Sequence, residues 1–214
     1  NTFALINLGN LYKHGLGVKQ DNEKARECYE KAAELNDSNA LLKLGVMYSD
    51  GSGVKQDYEK ARECYERAAK LNNPKAYVSL GYLYEGGLGV KKDNDKAIEY
   101  FEKASKNNVS YATVKLGVLY EEGSVVKQDY DKARKYYEKA AELNDSDALL
   151  KLGILYEKGS GMKQDYKKAY EYYEKAAKLN NSDAFVRLGV FYLQGIGVKQ
   201  NYEKAREYYE KAAN

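Results

Sequence analysis

Lysine and tyrosine return in this chain at a fixed interval, and they are the residues best able to engage a partner chemically. Lys forms two rows, seen in Lys55 with Lys60 and in Lys163 with Lys168. Such rows are able to track a phosphate backbone. Glu and Asp interleave them, however, and Glu63 to Arg67 or Glu99 to Lys103 are i,i+4 pairs typical of a solvated helix face. With 35 basic and 32 acidic residues the net charge is only +3, so neither nucleic acid nor anionic lipid is an expected partner. Tyr is abundant, with 23 copies and no Trp. One row is Tyr12, Tyr48, Tyr84, Tyr120, Tyr156 and Tyr192, and another is Tyr29, Tyr65, Phe101, Tyr137, Tyr173 and Tyr209. Aromatic ladders at helical spacing are packing first of all. Were the rings exposed, carbohydrate or cell-wall binding would be the alternative.

Catalytic, metal and cofactor chemistry find little support. The lone histidine, His14, has Asp50, Gly86, Glu122, Lys158 and Gln194 as its counterparts and reads as a surface residue. One His excludes a His-rich metal site. The recurrent Gly-x-Gly-Val lacks the preceding strand and the Lys-Ser/Thr ending of a phosphate loop, so its glycines are read as a helix stop and turn. Cys28 and Cys64 are equivalent residues of neighbouring segments. Packed helices lie about 8–10 Å apart, too far for a disulfide that needs Cα atoms within about 7 Å. Reduced thiols are expected, and with them a cytoplasmic setting. No enzyme activity and no cofactor are expected.

The elements that hold these rows follow from one stretch, Ala40 to Lys75, which returns from Ala4, Ala76, Ala112, Ala148 and Ala184 at a constant step of 36 residues. The repeats are 4–39, 40–75, 76–111, 112–147, 148–183 and 184–214, in a single domain of residues 1–214. With Ala40 as position 1, the apolar residues Leu44, Met47 and Tyr48 mark one face of a first helix, A. Gly45 recurs in all six repeats inside that helix, where Gly costs about 1 kcal/mol against Ala. Its placement predicts close approach of a neighbouring helix. Helix A stops at Gly51-Ser52-Gly53-Val54, and Asp57 caps a second helix, B, whose inward face is Ala61, Tyr65, Ala68 and Ala69. Asn72 then supplies a left-handed turn, and Asn73 caps the next A helix with Pro74 at its first position. Val125 replaces the second loop Gly and predicts a different path for that loop, because a β-branched residue resists positive φ. Asn107-Asn108-Val109-Ser110 departs from the usual turn and loosens the register there. Chains built this way are all-α solenoids, here of six antiparallel helix pairs. A longer period of three repeats, AAELNDSNALLKLGVMY returning as AAELNDSDALLKLGILY, indicates block duplication.

Fixed repeat positions maintain the stack, so the variable ones on helix A are candidates for partner binding. Position 4 carries Lys43, Lys115, Lys151 and Arg187, interrupted by Ser79 and preceded by Asn7. Position 7 carries Asn10, Val46, Tyr82, Val118, Ile154 and Val190, and position 10 carries Lys13, Ser49, Glu85, Glu121, Glu157 and Leu193. Together they predict a groove with an apolar floor and charged margins, suited to an extended or helical peptide. The basic row at position 4 predicts an acidic partner segment.

The motif A-xxx-LG-xx-Y, then G-x-GV-xx-D-xx-KA, then YYEKAA resembles the Sel-one-like repeat (SLR) family of the tetratricopeptide superfamily. Its fullest instance is Ala184, Leu188, Gly189, Tyr192, Gly195, Gly197, Val198, Lys204, Ala205, Tyr208, Tyr209, Lys211, Ala212 and Ala213. The resemblance implies a right-handed superhelix whose inner surface, built by the A helices, holds peptides or proteins. It implies a non-enzymatic scaffold or adaptor, with an inhibitor or immunity-type protein that sequesters a cognate partner as a further alternative. No long apolar run suggests membrane insertion. The start at Asn1 rather than Met suggests processing or trimming, and the lack of a polar capping helix at either end predicts a longer native chain or ends that pair in a homodimer.

Overall fold

The computed structural model describes residues 1–213; Asn214, on which the expected end of the last helix bears, lies outside the described residues. It divides into two compact units that meet in sequence between Val109 and Ser110. The first unit contains α1 (Thr2–His14), α2 (Asn22–Glu34), α3 (Ser38–Asp50), α4 (Tyr58–Lys70), α5 (Pro74–Gly86) and α6 (Asn94–Lys106). The second contains α7 (Ser110–Glu122), α8 (Tyr130–Glu142), α9 (Ser146–Lys158), α10 (Tyr166–Lys178), α11 (Ser182–Gln194) and α12 (Tyr202–Ala213). There is no strand among the described residues. Odd-numbered helices are the A helices and even-numbered ones the B helices, so the fold is the expected all-α solenoid of antiparallel pairs.

Local chemistry sets the boundaries. Asp57 accepts from the Lys60 backbone N–H at 3.0 Å, and Asp21, Asp93, Asp129, Asp165 and Asn201 cap their B helices in the same way. Helix A ends at a left-handed glycine, Gly51 at φ 76. Asp57 donates its backbone N–H to the Tyr48 carbonyl at 2.8 Å, closing the loop onto the helix it has just left. Each B helix inside the array ends on an asparagine in the left-handed region: Asn36, Asn72, Asn108, Asn144 and Asn180 all lie at φ 58–59. Asn73 donates its N–H to the Ala68 carbonyl and Asn72 to that of Ala69, the two bonds of a Schellman turn. The Asn107–Ser110 junction keeps this geometry, so the register slips nowhere. Val125 stays out of the positive-φ region that Gly17, Gly53, Gly89, Gly161 and Gly197 adopt, while Asp129 still donates its N–H to the Tyr120 carbonyl at 2.9 Å.

Packing repeats inside each unit. The position-5 leucines Leu80 and Leu188 are fully buried beside the alanines of the B helices. Burying a side chain of this size contributes about 1.5–3 kcal/mol. The position-26 rings Tyr29, Phe101, Tyr137 and Tyr173 are fully buried as well. Each lies on the helix-A glycine of its own repeat: a Cβ added to Gly9 would come within 2.5 Å of Tyr29, and one on Gly81 within 2.6 Å of Phe101. The close approach expected at Gly45 is real, and what approaches is an aromatic ring.

Candidate partner-binding surface

Burying the position-26 ring against glycine carries its phenol through to the far side of helix A. The hydroxyl emerges among positions 4, 7 and 10, the residues singled out in the sequence. In the second unit Tyr137 donates to Glu121 Oε2 at 2.6 Å, and Tyr173 donates to Glu157. The other Glu157 oxygen lies 3.5 Å from Arg187 Nη1 of the next repeat. In the first unit the phenol partners are neutral. Tyr29 donates to Asn10 Oδ1 at 2.8 Å, and the Tyr65 hydroxyl lies beside Ser49 and Ser79. Burial pushes the Tyr29 and Tyr65 phenols up to about 12. Burial, reinforced by the carboxylate each one meets, drives Tyr137 and Tyr173 higher still.

All the residues named for this surface are at least partly exposed. The second unit brings Ile154, Arg187 and Val190 into one cleft with Leu150, Val186 and Asp183. Lys115, Val118, Glu121 and Lys151 are half-buried on the two preceding A helices of that unit. In the first unit Val46 is 37% exposed, Tyr82 meets Phe101 edge-on at 5.2 Å, and Glu85 is half-buried. The position-4 cations occupy different settings. Arg187 pairs with Glu157, whereas Lys43 Nζ stands 5.7 Å over the Tyr29 ring. Burial, then Lys13 and Lys75, hold the Lys43 ammonium below its ordinary pKa.

Position 3 escaped the sequence reading. Ile6, Leu42, Val78, Val114, Leu150 and Val186 make it aliphatic in every repeat, and Val186 is 41% exposed. Positions 3 and 7 are i,i+4 neighbours, so together they form an apolar strip on every A helix except α1, where position 7 is Asn10; Leu150 alone of the position-3 row is buried. The signal was present, but an aliphatic row at helical spacing reads as core until the opposite face of the helix is known to be filled.

The position-9 tyrosines do not form an open platform. Tyr84 stacks on Tyr100 at 5.6 Å, Tyr120 on Tyr136 at 5.7 Å and Tyr156 on Tyr172 at 5.5 Å. Lys96, Lys132 and Lys168 lie over the first ring of each pair at 4.9–5.1 Å. Tyr48 is half-buried beneath Lys60 and Tyr65 is buried, which favours packing over sugar stacking. The Lys60 row, read earlier only as a solvated face, thus covers aromatic rings. Cys28 and Cys64 are free, and burial pushes the Cys64 thiol up to about 11. Among the described residues no three His, Cys, Asp or Glu side chains converge as metal ligands, and no helix is long and apolar enough to cross a membrane.

The Sel1 repeat matches the chain six times, over residues 2–37, 38–73, 74–109, 110–145, 146–181 and 182–214. A Sel1 repeat protein from Oxalobacter formigenes is 36% identical over 100% of this chain and 87% of its own, with a TM-score of 0.89. A protective antigen of uropathogenic Escherichia coli with an SLR fold is 34% identical over 100% of this chain and 46% of its own, with a TM-score of 0.81. An immunity protein from Pseudomonas aeruginosa, 20% identical over 99% of this chain and 81% of its own at a TM-score of 0.62, shares the fold alone. No curated protein matches the chain.

Proposed function

The chain belongs to the Sel1 repeat family, and we propose that it is a non-enzymatic scaffold or adaptor that binds a protein or peptide through the A-helix face of its units. The observation carrying this reading is the strip at positions 3 and 7. Val46 and Val186 stay 37% and 41% exposed while the position-5 leucines Leu80, Leu116, Leu152 and Leu188 are sealed completely. Apolar side chains held open between charged margins suit the centre of an interface. The margins, Lys115, Lys151 and Arg187 against Glu121 and Glu157, then set orientation and encounter rate more than affinity.

A photo-crosslinking residue placed at Val118 or Ile154, in cells that produce the protein, should capture discrete partners. The same residue at Glu171, on the exposed side of α10, should not. Equal capture from both faces would remove the basis for assigning binding to the A helices.

A further inference from the structure

The slot between position 10 of one repeat and position 4 of the next holds opposite charges in the second unit; in the first unit one such slot holds the like charges Lys13 and Lys43 and the other the neutral pair Ser49 and Ser79. Glu157 and Arg187 are thirty residues apart and meet at 3.5 Å. Lys13 and Lys43 are also thirty residues apart and occupy the corresponding slot. The phenol that reaches Glu157 in the second unit finds Asn10 in the first, leaving the Asn10 Nδ2 able to donate. Lys75 adds a third positive charge from the start of α5. None of these three lysines stands within ion-pair distance of a carboxylate among the described residues. The acids of the first unit's A helices are Asp50 and Glu85, both near helix C-termini. Asp50 is occupied by the Ser52 N–H at 2.8 Å.

Like charges in a half-buried slot oppose folding unless something compensates them. Lys43 registers that strain, since burial and both neighbouring lysines act on its ammonium in the same direction. Beside the slot run Leu42 and Val46, with Val78 and Tyr82 on the next A helix. The Tyr29 ring is buried beneath Lys43 and Tyr82 meets Phe101 edge-on, so neither presents an open face on which a base would stack. A site of separated cations beside an aliphatic strip fits carboxylate side chains borne on a partly apolar segment better than a nucleic-acid strand.

Building on the A-face reading above, we infer that Lys13, Lys43 and Lys75 form a carboxylate-binding site that takes an acidic, partly apolar segment of a partner protein across α1, α3 and α5. The partner's carboxylate enters the Lys13–Lys43 slot and supplies the charge that Glu157 supplies internally in the second unit. Binding then relieves the repulsion that the free protein carries.

The test is to pan displayed random peptides on the intact chain at physiological salt, then measure the selected peptides against variants. Selected sequences should be enriched in Asp and Glu among aliphatic residues, and should shield Lys43 from amine labelling. Lys13→Glu recreates the internal pair, so it should preserve or raise thermal stability while weakening those peptides at least about tenfold. Peptides with no acidic bias that are nonetheless weakened by Val46→Asp or Ile154→Asp overturn this site and leave the A-face reading standing. Peptides indifferent to every one of these variants, or an empty selection, count against both. Tighter binding of a DNA oligonucleotide than of any acidic peptide, lost in Lys13→Glu, overturns the protein partner.

Discussion

Tyr137, fully buried at its ring, passes its hydroxyl across helix α7 to Glu121 Oε2 at 2.6 Å. The residue that fills the core of the repeat thereby fixes a charge on the opposite side of helix α7. Tyr137→Phe keeps the ring volume, and Phe101 shows that the position accepts it. A hydrogen bond to a charged group contributes about 1.5–3 kcal/mol, and the half-exposed carboxylate lowers that to about 1 kcal/mol. Urea unfolding should show a loss of this size; an unchanged midpoint would mean that the bond adds nothing.

Gly153→Ala should destabilise the protein although it replaces glycine inside a helix. The gain in helix propensity is about 1 kcal/mol. Against it, the new Cβ would fall on the Tyr173 ring, which is fully buried and cannot swing away. Overpacking of this kind costs about 1–3 kcal/mol, so a net fall in melting temperature is expected. A rise would show that the ring is free to move.

The first two predictions also mark where sequence reading succeeds and stops. A constant step, capping aspartates and a glycine at one helical position are local facts, and they gave the helix pairs, the left-handed Asn72 and the close approach at Gly45. The phenol partners were not legible, because Tyr137 and Glu121 are related only through the depth of a helix. The Lys13–Lys43 slot was hidden for a similar reason. Lys13 belongs to position 10 and Lys43 to position 4, and a reading that compares like positions never sets them side by side. The apolar row at position 3 was visible but indistinguishable from core, since burial and exposure use the same residues.

Stability should fall steeply in alkali. Tyrosine ionises near pH 10 in an unfolded chain, whereas burial holds Tyr29 and Tyr65 neutral to about 12. Their folded pKa is the higher one, so the unfolded state loses protons first as pH rises. The stabilisation is therefore complete below about pH 10 and is lost through about pH 12. Urea midpoints followed from about pH 8 upward should drop across that window, and Tyr29→Phe with Tyr65→Phe should flatten the drop. Equal slopes in the variant and the parent would exclude these phenols as the cause.

Thiol reactivity offers a separate check on the packing of the B helices. Burial raises both thiols, Cys64 to about 11, well above the usual value near 8.5. The thiolate fraction at neutral pH falls accordingly, and alkylation of Cys64 in the folded protein should run about a hundredfold slower than in urea. Rates alike in both states would mean that Cys64 is open.

Because position 10 of one repeat faces position 4 of the next, as Glu157 faces Arg187, the order of the repeats decides which side chains meet. Unequal recombination that removed one 36-residue unit would rejoin the backbone without a scar, since every junction has the same turn. The charges would not be indifferent. Excising residues 148–183 would set Arg187 against Glu121 and keep an attractive pair, whereas excising residues 40–75 would leave Lys13 facing Ser79 and erase the like-charged slot. Excision is thus equivalent for the backbone at every junction and different for the charges at each.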